Sequence, residues 1–517
     1  MSNSTIEISV GGDALSQGKK QRPEPTLWIP TSEVYAHIPR EHFYERLDRV
    51  LDLNFIYELT KPLYAENIGR PSLDPVIFFK CMLIGFFENI VYDTHLEFRI
   101  ADSLTFRKFL GYSLEQRTPD ESTLRKTRHK MPMDVFDRVF SCVLDVCQSQ
   151  GLLKGRAIGV DSTQIDANAS MDSLKHKELG CTYEEYMLAL KRQDTPDATK
   201  GDAMNSDKKR KGKASNRDWE SSSDPESKVM QHSDGHTHLS YKVDTTVDLE
   251  TGVIVAAGAS FASISDQADF LEHVDAAREV LRERDMDVIA VVADKGHHSG
   301  ENLAGIEERD IIGLISSPHV NSGAKGFRRD DFGYDETADT LICPRGEVLS
   351  RQKNKDAAHR YYKGRGSVCR RCPHFGVCTK SKSGRVVSVS IYEEIIKANR
   401  ERVHSEAARP LMMIRRQRGE APFGFFKMFG GLRRFAGRGL EYAAKKTLIA
   451  AAGWNLLMVT KKLIREMVPS SAIYALVKPI LALFWLLSEL LQLLDRKAAP
   501  RVTIAQANLT RSKAWAC

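Results

Sequence analysis

The chain has 517 residues, 42% of them hydrophobic and 28% charged, which excludes a disordered polymer or a protein made mainly of membrane spans and is too long for one ordinary core. Nine cysteines in this length exclude a disulfide scaffold. The net charge of +7 is unevenly placed: residues 397–466 carry sixteen Lys and Arg against five Glu, a net of +11 that leaves −4 elsewhere, and such a basic stripe implies a polyanionic partner, usually nucleic acid.

Residues 1–37 read as a flexible polar arm, and the stretch MSNSTIEISVGGDALSQGKKQRPEP lacks the apolar run of a signal peptide, so the cytoplasm is the expected compartment. Residues 38–150 read as an all-α N-terminal domain. Within it DPVIFFKCMLIGFFENI is apolar almost all round, as a buried helix must be, with Asp74 as N-cap and Pro75 in the first turn. A later helix, starting in PDESTLRKTRHKM, is predicted to expose Arg125, Lys126, Arg128, His129 and Lys130. That pattern suits a helix-turn-helix-like DNA-binding module, and equally a small helical domain whose last helix is solvated.

From residue 151 the hydrophobic period changes. RAIGVDSTQIDA reads as a strand holding Asp161, and HLSYKVDTTVD and GVIVAAGAS as two more strands joined by the turn LETG. A helix from Asp266 to about Glu283 follows, then the apolar strand VIAVVA ending at Asp294, a helix capped by Ser299, and the strand IIGLISS. Three strands, helix, strand, helix, strand imply an α/β fold with a mixed sheet covered by helices. Gly296 is expected to let the chain turn sharply out of the sheet. His297 and His298 have no spacing that assigns them a role.

Two insertions interrupt this domain, which is expected to span 151–466. The first, about 170–235, includes the low-complexity stretch Lys200–Lys228, expected to be a mobile loop. The second, about 317–388, holds Cys343, Cys369, Cys372 and Cys378. The pair CRRC has zinc-ligand spacing but the other spacings match no standard ribbon or finger, so a structural Zn²⁺ and a cysteine-rich loop both stay open. Residues 467–517 read as a helical tail. Ala472–Leu494 is long enough to span a bilayer, but Lys478, Pro479 and Glu489 interrupt it, so a buried or self-associating helix is expected and no membrane partner.

Three acids stand out by position: Asp161 after AIGV, Asp294 after its own apolar run, and Glu420 in MMIRRQRGEAPFGFFKMF. The first and fourth strands of such a sheet are able to be neighbours, and two carboxylates held together call for a cation. A hard dication such as Mg²⁺ takes oxygen ligands, and a pair of them suits displacement at phosphorus. Asp166 rivals Asp161, lying in the same strand. Arg416, Glu420 and Lys427 fall at offsets of four and seven, one helix face, where Arg416 would hold Glu420 or a phosphate and Lys427 the DNA backbone. Arg433, Arg434 and Arg438, set among aromatics, extend the DNA-binding surface.

The blocks GVDSTQIDA, VVADKGHHSGENL and RRQRGEAPFGFFKMFGGLRRFAGRGL followed by GWNLL resemble, in order, the three catalytic blocks of DDE insertion-sequence transposases. The N-terminal DPVIFFKCMLIGFF, FRKFLGY and PDESTLRKTR resemble the InsH-type N-terminal domain of that family, and the cysteine cluster is similar to that of one subgroup. The resemblance covers roughly residues 40–466. It implies an RNase H-like core, with Asp161, Asp294 and Glu420 as catalytic ligands of Mg²⁺ or Mn²⁺. It further implies binding to the element's terminal inverted repeats and to target DNA, strand cleavage followed by strand transfer, a homo-oligomer on DNA and association with the bacterial nucleoid. The family surrounds the glutamate with Tyr, Arg, Glu and Lys on one helix, and Met413 stands where the tyrosine belongs. The competing readings are a DNA-binding protein without transposition chemistry and a metal-dependent nuclease without strand transfer.

Overall fold

A computed structural model describes residues 30–64, 72–208, 214–232, 235–317, 326–353 and 357–467. The apolar stretch at Ala472–Leu494 and most of the N-terminal arm lie outside these residues. Thr31–Ala36, expected in the arm, instead forms a short helix, tied down where the Tyr35 hydroxyl donates to the Tyr112 carbonyl at 2.6 Å.

Asp74 caps the helix Pro75–Phe87 as expected, its Oδ1 accepting the Val76 and Ile77 amides at 2.7 and 3.2 Å. That helix buries Phe78, Phe79, Met82, Leu83, Ile84 and Phe86. The amphipathic helix Met133–Ser149 offers Val135, Phe136, Val139, Phe140, Val143 and Leu144 at helical spacing to the same core.

Five strands make the central sheet: β1 (Ala157–Asp166), β2 (Thr237–Asp248), β3 (Ile254–Phe261), β4 (Ala290–Ala293) and β5 (Ile312–Ile315). Their order is β3-β2-β1-β4-β5, with the first three antiparallel and β4 and β5 parallel to β1. The short strand Lys228–Gln231 extends the edge of β2 beyond β3. This is the RNase H-like arrangement, a mixed α/β sheet. Helix α1 (Phe270–Arg282) links β3 to β4 and α2 (Gly300–Glu307) links β4 to β5.

The two-residue period sorts the strands' side chains onto two faces. Ala157, Ala290, Val292 and Leu314 pack against Val403, Ala408, Leu411, Met412 and Ile414 from α3 (Glu393–His404), α4 (Arg409–Arg418) and their connection. Ile158, Val160, Val291 and Ala293 face the main core with Phe270 and Val274 of α1. After α4 come α5 (Ala421–Met428) and α6 (Leu440–Met467). Although long and apolar enough to cross a membrane, α6 is mostly buried against β3 and the N-terminal helices. Its GWNLL segment clamps the β2–β3 hairpin: the Asn455 Oδ1 accepts the Ile254 amide and its Nδ2 donates to the Ile254 carbonyl, both at 2.8 Å, while the Trp454 indole donates to the Gly252 carbonyl.

The first insertion is more ordered than its composition implied. Capping boxes start the helices Tyr183–Asp194 (Thr182 with Glu185) and Lys200–Asp207 (Thr199 with Asp202), and Trp219 is buried beside Tyr183 and Tyr186. Polar composition hid these because the information lay in caps and one aromatic anchor. The second insertion builds an antiparallel meander of β6 (Gly333–Asp335), β7 (Thr340–Ile342), β8 (Val348–Arg351), β9 (His359–Gly364) and β10 (Val386–Ser390).

Candidate active site

Register brings the first two acids together. Val160 of β1 is paired in parallel with Ala293 of β4, so Asp161 and Asp294 are the next residues along adjacent strands, whose spacing is about 4.8 Å. By parity both belong to the face covered by α4. Asp166 lies five residues further along β1, roughly 16 Å away, where it pairs with Arg434 at 3.7 Å and with His232 and His238. The geometry therefore groups Asp161, and not Asp166, with Asp294.

Asp161 is nearly enclosed, its side chain 13% exposed. Its Oδ2 lies 3.0 Å from Arg415 Nη2 and its Oδ1 accepts the Ser162 amide at 3.0 Å. Burial, reinforced by the Asp294 charge, pushes its pKa up to about 6 against the opposing pull of Arg415 and the Ser162 amide. Asp294 behaves oppositely. Its Oδ1 is held by His297 Nδ1 and the Gly296 amide, each at 2.8 Å, and the histidine bond above all takes its pKa down to about 2 against burial. His297 is itself buried, its carbonyl accepting from Asn302 Nδ2 at 2.9 Å. Two neighbouring acids thus differ in proton affinity because one has lost water and the other has gained two donors.

Gly296 matters for space, since its φ is not positive: a Cβ there would stand 3.0 Å from Asp294 Oδ1 and 3.1 Å from Asp266 Oδ2. Ser299 is the cap of α2, accepting from the Asn302 amide, as expected. Asp294 itself caps only the 3₁₀ turn Lys295–His297.

Glu420 sits between α4 and α5, where Gly419 interrupts the helix and Pro422 of the following turn lacks an amide donor. A Cβ on Gly419 would lie 3.8 Å from Asp161 Oδ2, so this junction passes directly over Asp161. Glu420 is largely exposed, and its Oε1 is 3.9 Å from Arg415 Nη1. Arg415, buried, therefore faces both acids. Arg416, expected to hold Glu420 or a phosphate, is exposed, and the arginine near Glu420 is Arg415. Lys427 reaches β1 and donates to Thr163 Oγ1 at 2.7 Å.

Three further groups were not singled out in the sequence. Asp266, read only as a helix start, precedes α1 and accepts from Ser162 Oγ at 2.7 Å. Lys242 of β2, buried, lies 3.4 Å from Asp266, 3.3 Å from Asp244 and 2.7 Å from Asp269. A lysine in the apolar strand LSYKVDTTV was the available signal. His273 joins them at 3.5 Å from Asp244 and Asp269.

The predicted basic residues divide. Arg125, Arg433, Arg434 and Arg438 are exposed, and Arg125 and Arg438 line one groove between the N-terminal helices and the start of α6. Arg128 lies at the bottom of that groove. It is 4% exposed and forms a two-point ion pair with Asp93 at 2.7 and 2.8 Å, under Tyr442. Desolvation without that carboxylate would be prohibitive, so its role there is to join helices. Cys343, Cys369, Cys372 and Cys378 all line a single cavity in the second insertion.

The RNase H-like sheet thus presents two acids side by side on its adjacent parallel strands, Asp161 within β1 and Asp294 just past β4. Residues 32–130 match the family model described as a transposase domain (DUF772), and residues 342–460 match that described as a transposase DDE domain. The second span includes Glu420 and the four cysteines, and Asp161 and Asp294 lie before it. No curated protein matches the chain. Among solved structures, a piggyBac transposase synaptic complex with hairpin DNA is similar at 8% identity and a TM-score of 0.29, over 84% of this chain and 75% of that one. Two transposase family models, one over the N-terminal helices and one over the region of Glu420, support a DDE-class insertion-sequence transposase. The protein is a transposase, and so an enzyme.

Proposed function

We propose that the protein binds the terminal inverted repeats of its own bacterial insertion sequence, cleaves a strand there and joins the freed 3′ hydroxyl to target DNA. The observation that carries this reading is the convergence of Asp161, within β1, Asp294, just past the end of the adjacent β4, and Glu420, at a helix junction, around Arg415. These are oxygen donors of the kind a hard dication takes, and the near-burial of Asp161 beside a second carboxylate leaves a charge that Arg415 alone only partly balances. Mg²⁺ or Mn²⁺ held by the three acids would supply Lewis acidity at the scissile phosphate and lower the proton affinity of the attacking oxygen.

The chain's own residues define the rest. His297 and the Gly296 amide fix the Asp294 carboxylate in its ionised form. Ser162 orients Asp161 through its amide and ties it, through Oγ, to the Asp266–Lys242 network. Lys427, beside Thr163 on the same strand, and exposed Arg433, Arg434 and Arg438 supply phosphate contacts on one side. Arg125 carries that basic surface onto the N-terminal helices. Because attack by water and attack by the 3′ hydroxyl are both in-line displacements at phosphorus, one acid cluster serves both.

The test uses a labelled duplex bearing the element's inverted repeat, with Mg²⁺, separating cleaved from joined products on a denaturing gel. Asp161→Asn, Asp294→Asn and Glu420→Gln should each reduce both products to background while duplex binding persists. A variant that cuts at the parental rate would remove that acid from the site. Cleavage without any joined product would favour a nuclease over a transposase.

A further inference from the structure

The second insertion has too little apolar interior for its size. Its five strands are three to six residues long, and their core consists of Phe332, Leu341, Leu349, Tyr362, Val387 and Val389. A sheet this small ordinarily needs a covalent or metal staple. Free thiols stand at the end of that core, where Cys343 and Cys378 pack against it, and all four line a cavity of about 300 Å³.

The cysteines come from two segments that line the same cavity, the turn after β7 and the helix Gly366–Arg371 with the turn that follows it. In the first, following β7, the Gly346 amide donates to the Cys343 carbonyl at 2.8 Å, the Arg345 amide points at Cys343 Sγ at 3.4 Å, and Gly346 takes φ +81°. The left-handed conformation is why glycine stands fourth in CPRG. In the second, the Cys372 amide donates to the Cys369 carbonyl and the Cys378 amide to the His374 carbonyl. The fold thus brings to one cavity four cysteines that are up to 35 residues apart in sequence. Arg345, Arg365 and Arg385 line the same cavity and would offset surplus negative charge.

We propose that Cys343, Cys369, Cys372 and Cys378 bind one structural Zn²⁺ as a tetrathiolate that staples the β7–β8 turn to the segment between β9 and β10. Four soft sulphur donors on one cavity are the ligand set that structural zinc takes, and an amide directed at a ligating sulphur stabilises the thiolate form. Each thiol that ligates releases its proton to solvent, and no electron is transferred. The ion is separate from the dication of the acid cluster: its ligands are sulphur, and the insertion meets α3 through the Arg329–Glu393 and Asp330–Arg400 ion pairs. Its effect on activity is indirect, because it orders the segment leading into α3 and α4, which carries Arg415.

The experiment uses the full chain purified without chelator. Elemental analysis should find one zinc per chain, retained on dialysis against Mg²⁺ buffer and released by a mercurial reagent. Cobalt-loaded protein should show the thiolate-to-metal charge-transfer and d–d bands of a tetrahedral sulphur site. Cys343→Ser and Cys372→Ser, one in each turn, should lose the zinc, whereas Cys181→Ser and Asp161→Asn should keep it. Should the serine variants fail to fold, chelation of the parent protein should open residues 326–390 to protease while the central sheet stays protected. Metal-free protein, an iron chromophore, disulfides among these cysteines, or zinc retained in both serine variants would overturn the assignment.

Discussion

Lys242→Met tests whether the floor beside the acid cluster is held by charge. Lys242 is 3% exposed and faces Asp269, Asp244 and Asp266 at 2.7, 3.3 and 3.4 Å. Methionine keeps the length and removes the cation, leaving three carboxylates and the His273 imidazolium. Removing one partner of a buried ion pair costs about 3–5 kcal/mol, and solvent access at Asp266 places this case nearer the lower figure. Protonation provides an escape with a definite sign. Against burial, His273 and Lys242 take the Asp269 pKa down to about 2, so its stabilisation is complete above the ordinary aspartate range and is lost as pH falls through that value. Without Lys242 that pKa returns upward, so the stability gap between parent and variant should be largest near pH 7 and narrow as pH falls from about 4 towards 2. Urea unfolding followed by tryptophan fluorescence measures it. A gap below about 1 kcal/mol at pH 7, or one indifferent to pH, would refute the electrostatic account.

Asn455→Leu should destabilise the protein by roughly 3 kcal/mol in the same unfolding assay, since it strands the buried Ile254 amide and carbonyl together. Gly296→Ala should cut strand cleavage by roughly 10- to 100-fold while changing stability little, because the added Cβ displaces the Asp294 carboxylate. Arg433→Ala, Arg434→Ala and Arg438→Ala should each weaken duplex binding and lower the salt dependence by about one phosphate contact in a titration at several salt concentrations. Arg128→Met should instead lower the unfolding midpoint through loss of the buried Asp93 pair, without a matching change in the salt slope.

Arg128 and Arg415 show where local reading stops. Both sit in basic helices whose spacing suggests a solvated face, yet each is buried against a carboxylate from a different element. Helical period tells which residues share a face, and cannot tell which face meets the rest of the chain. The break at Gly419 and Pro422 means that offsets of four and seven do not describe one continuous helix from Arg416 to Lys427, and Arg415 is the arginine near Asp161 and Glu420. The reverse occurred in the described part of Lys200–Lys228, where one capping box and a buried tryptophan order residues with no apolar period.

Short-range patterning carries the order of the main strands and helices of the central sheet, the caps at Asp74 and Ser299, and the placement of Asp161 and Asp294 after apolar runs. These are consequences of short-range periodicity and side-chain chemistry, which a few consecutive residues carry. Tertiary structure alone decided that the two strands lie side by side in parallel register, that Arg415 faces two of the acids, that Lys242 lies among three carboxylates, and that four scattered cysteines line one cavity. Those pairings join residues far apart in sequence, and only the packing of the whole sheet and its helices sets which charge meets which partner.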